Sequence, residues 1–239
     1  MKLACSSAAF DRQLRSGDLT QLEWIDLCAR KLATDGVVFD VAHFPRTDSD
    51  YLAQVKKMCA DLGLTVAAVF DGGFFGGNAS EMAGALDVAV ALGAPLLSSR
   101  LPAETEASWV ETLERLNAAT SMGKRANVTL GLRNAARTFA ASTHDVKRVS
   151  KEADSAWLRY APDFGAFDAS DQPADLLPKT VLAWYSVVDS RQVRPLVALL
   201  SDFRGFVALD APAESPQGQA IVEILSSLRD ERLPSVRHS

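Results

Sequence analysis

The sequence predicts an α/β protein whose parallel strands close into a (β/α)8 barrel, and three observations carry that prediction. Short apolar, β-branched runs alternate with amphipathic helical segments, about eight of each at about 30 residues per unit. The runs are apolar throughout rather than alternating, which marks strands covered by helices on both faces. Most of them end in a polar or charged residue, and in a parallel barrel those ends converge on one mouth. A doubly wound open sheet is the runner-up. It would normally carry a phosphate-binding glycine turn after an early strand, and Asp71-Gly72-Gly73-Phe74-Phe75-Gly76-Gly77-Asn78 has the wrong spacing for one.

In chain order, Lys2 to Ser6 is the first apolar run, followed by a polar loop from Ser7 to Gly17. Thr20 caps the next helix with Glu23 reaching back, Leu19 staples onto Trp24, and Leu22, Ile25, Leu27, Cys28 and Leu32 mark the buried face. Gly36 to Asp40 is the second strand, with His43-Phe44-Pro45 beyond it. Thr47 and Asp48 open a helix that Gly63 stops, and Leu64 to Val69 is the third strand. Asn78 and Glu81 cap a helix ending near Gly93, and Pro95 to Ser98 is a fourth strand closed by Arg100. Thr105 to Met122 reads as an amphipathic helix stopped by Gly123, with Trp109, Leu113 and Leu116 on one side, and Val128 to Asn134 as the fifth strand. Ser142 caps the following helix, with Asp145 at its third position. Trp157 to Ala161, Thr180 to Val188 and Gly205 to Asp210 complete the strands. Helices follow the last two, one with Pro195 near its first turn and one opened by Ser215-Pro216. Without a Pro/Ser-rich linker, residues 1–239 are expected to form one domain.

The net charge of −5 argues against broad nucleic-acid binding, which needs a clustered positive surface. The chain lacks the roughly 18 uncharged apolar residues in a row that a membrane span requires, and its first residues are too short in apolar length for a signal peptide. Cys5, Cys28 and Cys59 form no Cys-x-x-Cys pair, which argues against a disulfide framework or zinc ribbon; Cys28 and Cys59 lie on apolar helix faces and read as core fillers, with the cytosol as the default compartment. Self-association with identical copies is compatible with the sequence.

On a barrel, chemistry sits at strand C-terminal ends. These supply Ser6 and Ser7, Asp40 with His43, Asp71, Arg100, Arg133 with Asn134, Asp163, Ser186 with Asp189 and Arg191, and Asp210. Arg100 and Arg191 have the guanidinium fork that grips a carboxylate or phosphate, and either can equally be a rim residue paired with an acid. His43 can contact a ligand or pack in its loop. Phe74 and Phe75 can stack on a sugar ring or pack over the barrel top. The chain has three histidines, with His144 in a first helical turn and His238 in the tail, so a histidine-based triad or metal cluster finds little support.

Segments Lys2 to Phe10, Leu19 to Leu27, Asp35 to Pro45, Leu92 to Leu97, Val128 to Asn134 and Gly205 to Asp210 together resemble the sugar phosphate isomerase/epimerase family of xylose isomerase-like TIM barrels. The resemblance implies isomerisation or epimerisation of a small sugar by proton abstraction next to a carbonyl. It also implies a divalent metal held by a glutamate, an aspartate, a histidine and a glutamate from strand ends. The first of those positions falls on Arg133, the second on Asp163, the third on Ser186 or Trp184, and the last on Asp210. Two positions are kept or nearly kept and two are lost, one by charge reversal. A cation beside a guanidinium with two carboxylates left would meet repulsion and an incomplete shell, so no metal cofactor is expected. Arg133 is instead expected to bond both Asp163 and Asp210 in its place. The expected ligand is a small sugar, polyol or sugar acid, with Asp163, Asp210 and Arg133 as the catalytic candidates and His43, Arg100, Asn134, Arg191 and Phe74 as binding candidates. The alternative is a non-catalytic binding or scaffold protein on the same barrel.

Overall fold

The computed structural model describes residues 1–168, 170–186, 193–210 and 221–227. Eight strands form one parallel sheet: β1 Lys2–Ser6, β2 Gly36–Asp40, β3 Thr65–Phe70, β4 Leu96–Arg100, β5 Thr129–Arg133, β6 Leu158–Tyr160, β7 Leu182–Ser186 and β8 Phe206–Asp210. Their order, β6-β5-β4-β3-β2-β1-β8-β7, leaves β6 and β7 at the two ends. These ends meet through three backbone bonds, Val181 N to Tyr160 O (2.9 Å), Trp184 N to Pro162 O (2.8 Å) and Phe164 N to Trp184 O (2.9 Å). The sheet is a barrel with a looser seam there.

The helices are α1 Asp11–Ser16, α2 Gln21–Arg30, α3 Ser49–Asp61, α4 Ala79–Leu92, α5 Trp109–Ala126, α6 Thr143–Ala153 and α7 Val193–Leu199, with α8 at 221–227. Thr20, Asn78, Ser108 and Ser142 each close a capping box with the acid three residues on, which fixes where these helices leave the mouth. Among the described residues no helix is long and apolar enough to cross a membrane.

Two expectations are corrected. The segment expected as a polar loop contains a 3-10 turn, Ser7–Phe10, and α1; Ser6 Oγ accepts from Ala8 N, Ala9 and Phe10 are buried, and Gly17 ends α1 at φ 79°. The helix expected from Thr105 starts at the Ser108 cap and runs through Gly123 to Asn127, which takes the left-handed conformation at φ 56°. Gly123 serves packing instead. A Cβ there would lie 2.9 Å from the Val128 carbonyl oxygen, so its absence lets α5 close onto β5.

Side chains divide into two apolar layers. The larger joins strands to helices and includes Trp24, Phe39, Leu97, Leu130 and Leu132. The smaller comprises Ala4, Val38, Ala68, Phe70, Leu96, Ala161, Leu182, Trp184 and Ala208, with Ala67. In register, Trp184 faces Ala208 and Ala208 faces Ala4, which places much of this second layer inside the barrel. Alanines on several strands leave room for two large rings, Phe70 and Trp184, packed edge-to-face with centroids 5.3 Å apart. Gly131 adds to this economy, since a Cβ there would lie 2.8 Å from that of Ala161.

Candidate functional site

Alternation along β5 puts Thr129, Gly131 and Arg133 on one face, so the residue after Gly131 on that face is an arginine at the mouth. Its guanidinium lies over Trp184, 4.1 Å from the ring centroid, and 5.3 Å from that of Phe70. Trp184 is itself fixed by an indole N–H donated to Ser98 Oγ at 3.1 Å. The two rings form a floor on which the cation rests.

From that floor Arg133 bonds across the mouth. Nη2 donates to Asp163 Oδ2 at 2.7 Å and to Ser186 Oγ at 3.2 Å, and Nη1 donates to Asp210 Oδ2 at 3.0 Å. Arg133 reaches both carboxylates, as expected, and all three side chains are almost fully buried. Asp163 is the better held acid. Ser186 Oγ donates to its Oδ2 at 2.6 Å, and Ser186 N and Gly165 N donate to its Oδ1 at 3.2 and 3.1 Å.

These surroundings drive the two acids apart. Burial alone would raise the Asp163 carboxyl, but the Arg133 charge and the Ser186 and Arg133 bonds outweigh it and hold it below the ordinary carboxylate value. At Asp210 burial prevails over the same guanidinium, and its carboxyl is raised. Burial opposes the Arg133 charge, yet the two acids more than offset that and hold its pKa above the usual value. A carboxyl held ionised beside one held toward its neutral form is an arrangement suited to dividing acid and base roles.

The other binding candidates are dispersed. Arg100 ends β4 with its Cα opposite Arg133, its guanidinium over Phe70 at 5.2 Å. Asn134 is buried against the Asp163 backbone: its amide donates to Asp163 O at 3.2 Å and accepts from Asp163 N at 2.6 Å. His43 is spoken for on both sides, with Nδ1 2.9 Å from Ser7 Oγ and Nε2 2.8 Å from Asp11 Oδ1. It lines a separate cavity of about 510 Å3 with Gln21, Phe44 and Tyr51, at the N-terminal end of α2. Phe74 is corrected as well; it is buried, meets Phe75 edge-on at 5.5 Å, and offers no open face to a sugar ring. Arg191 lies outside the described residues.

Sequence reasoning missed three participants. Ser186 is collected as a strand-end residue and as the occupant of the implied histidine position, but not as a partner of Asp163, which it bonds twice. Phe70 falls just past the expected end of its strand, and Ser98 carries no signal beyond ending an apolar run. The aromatic directly before Asp71 is the one clue that points to Phe70.

A family described as xylose isomerase-like TIM barrel matches residues 27–195. The chain belongs to that family. Solved structures agree on the fold. A probable 3-DHS dehydratase from Bacillus anthracis superposes on this barrel with a TM-score of 0.76 at 11% identity, covering 96% of this chain and 99% of that one. A D-psicose 3-epimerase with D-tagatose, from Clostridium cellulolyticum H10, gives 0.74 at 13% identity over 97% and 98%. A xylose isomerase-like TIM barrel protein from Mycobacterium smegmatis in complex with magnesium gives 0.61 at 14% over 95% and 97%. No curated protein sequence matches this xylose isomerase-like barrel.

Among the described residues no group of three or more histidine, cysteine, aspartate or glutamate side chains is placed to hold a metal ion. The two carboxylates that converge have a guanidinium between them.

Proposed function

We propose that this barrel binds a small sugar, polyol or sugar acid at its C-terminal mouth, with Arg133 supplying the positive charge that a divalent metal would otherwise bring. The observation that carries this is the pair of bonds from one buried guanidinium to Asp163 and Asp210. A divalent ion does not fit that donor set. Of the four protein ligands that the resemblance implies, two carboxylates remain, and an ion held by them would sit against a fixed cation.

The chemistry available to these residues is proton transfer next to a carbonyl. Asp210, with its raised pKa, is the group suited to give and take the proton. Arg133 is positioned to stabilise charge on a carbonyl oxygen, and Asp163 keeps Arg133 charged and oriented. The D-psicose 3-epimerase activity named for one structural relative makes a polyhydroxylated ligand the natural class.

A second reading, ligand binding without turnover, is favoured by how completely Asp163 is engaged: Arg133, Ser186 and Gly165 all donate to it. One experiment separates the two. The protein, treated with EDTA, is incubated with ketoses and aldoses in deuterated water, and exchange at carbon next to the carbonyl is followed by NMR. Exchange that D210N abolishes supports proton transfer. Binding seen by thermal shift with no exchange supports the binder, and neither response in a broad panel contradicts both.

A further inference from the structure

The ligand class can be narrowed from the second arginine at the mouth. Arg100 and Arg133 are Cα partners across β4 and β5, and both guanidinia lie over the Phe70 ring, at 5.2 and 5.3 Å from its centroid. Arg133 uses Asp163 and Asp210 as its partners. Arg100 has none: among the described residues no carboxylate or other acceptor is within bonding distance of its guanidinium. The residue stays solvent-accessible although protein atoms crowd its guanidinium, whose Nη2 lies 4.0 Å from where a Cβ on Gly72 would sit.

Two like charges on adjacent strand ends repel; Asp210, Asp163 and Asp40 offset this through their field, but none of them bonds the Arg100 guanidinium. Burial, with the Arg133 charge added to it, pushes the Arg100 guanidinium below its usual pKa. A guanidinium with its face on an aromatic ring still presents its N–H edges, and those edges match two oxygens of a carboxylate or phosphate. A neutral hydroxyl would bond them no better than water does. We infer that Arg100 is an anion-anchoring residue, and that the ligand of this mouth carries a carboxylate or phosphate in addition to its hydroxyl groups. This rests on the reading of the mouth as a sugar-type site, and it adds the charge of the ligand.

The test uses three probes of one carbon skeleton: gluconate, glucose 6-phosphate and neutral glucitol, titrated calorimetrically into wild type, R100K and R100Q. Thermal midpoints of both variants serve as the folding control. The expected result is that at least one anion binds wild type about tenfold or more tighter than glucitol. That preference should shrink in R100K, which keeps the charge but loses the fork, and vanish in R100Q. It should also weaken between about 0.05 and 0.5 M salt. Gluconate and glucose 6-phosphate, compared with each other, tell a carboxylate site from a phosphate site. Glucitol binding as tightly as both anions, or an anion preference that survives in R100Q, overturns the inference alone. Failure of all three probes to bind overturns it together with the sugar-site reading beneath it.

Discussion

Arg133 and Asp210 stand 77 residues apart in sequence and meet across the barrel mouth at 3.0 Å, with Asp163 on the other arm of the same guanidinium. Removing the cation leaves two buried acids without the counter-charge they share. R133M should therefore destabilise the fold by about 3–5 kcal/mol at neutral pH. The loss should shrink toward pH 4, where both carboxyls can protonate. Urea midpoints across that range check both the size and the slope.

The two acids should differ when each is neutralised. Asp163 has a lowered folded pKa, so it contributes stability above the ordinary carboxylate value, and that contribution is lost as pH falls through the folded value. Asp210 has a raised folded pKa, so its contribution is present at low pH and is lost as pH rises through that value. D163N is thus expected to destabilise clearly more than D210N at pH 7, with the gap closing toward pH 3. Equal effects at every pH would contradict the asymmetry.

Ser186 is expected to matter through Asp163. S186A removes a hydroxyl donated to a buried carboxylate at 2.6 Å and should cost about 1.5–3 kcal/mol. Because the hydroxyl also helps keep Asp163 ionised, the acid unfolding midpoint of S186A should move to higher pH.

Gly123 offers a test of packing against propensity. An alanine inside α5 would ordinarily stabilise by about 1 kcal/mol. Here its Cβ would meet a backbone oxygen at 2.9 Å and Leu130 at 3.1 Å. Overpacking of that kind costs about 1–3 kcal/mol, so G123A should lower the thermal midpoint.

The barrel is legible because its signals are local and repeated. Strands β2 to β5 are each followed by a capped helix, and Thr20–Glu23 and Asn78–Glu81 form the boxes read from sequence. Strand ends are less legible: β3 reaches Phe70 because that ring packs on Trp184, a contact across the barrel that no local pattern shows. The meeting of Arg133, Asp163 and Asp210 follows from placing three strand ends on one rim. What His43, Asn134 and Phe74 do there depends on partners brought from distant positions. Ser7 and Asp11 hold His43, the Asp163 backbone holds Asn134, and Phe75 packs on Phe74. Arg100 is the opposite case, a residue whose interest comes from having no such partner among the described residues.

The central claim is that Arg133 stands where a divalent ion would be held, and metal analysis of the purified protein with thermal melting in Mg2+, Mn2+ and Co2+ tests it most directly. Wild type should hold substoichiometric metal and show no midpoint shift at millimolar ion, with a shift of several degrees emerging only when R133E is combined with S186H. About one metal per chain in wild type, stabilising the fold and lost in both D163N and D210N, would contradict it.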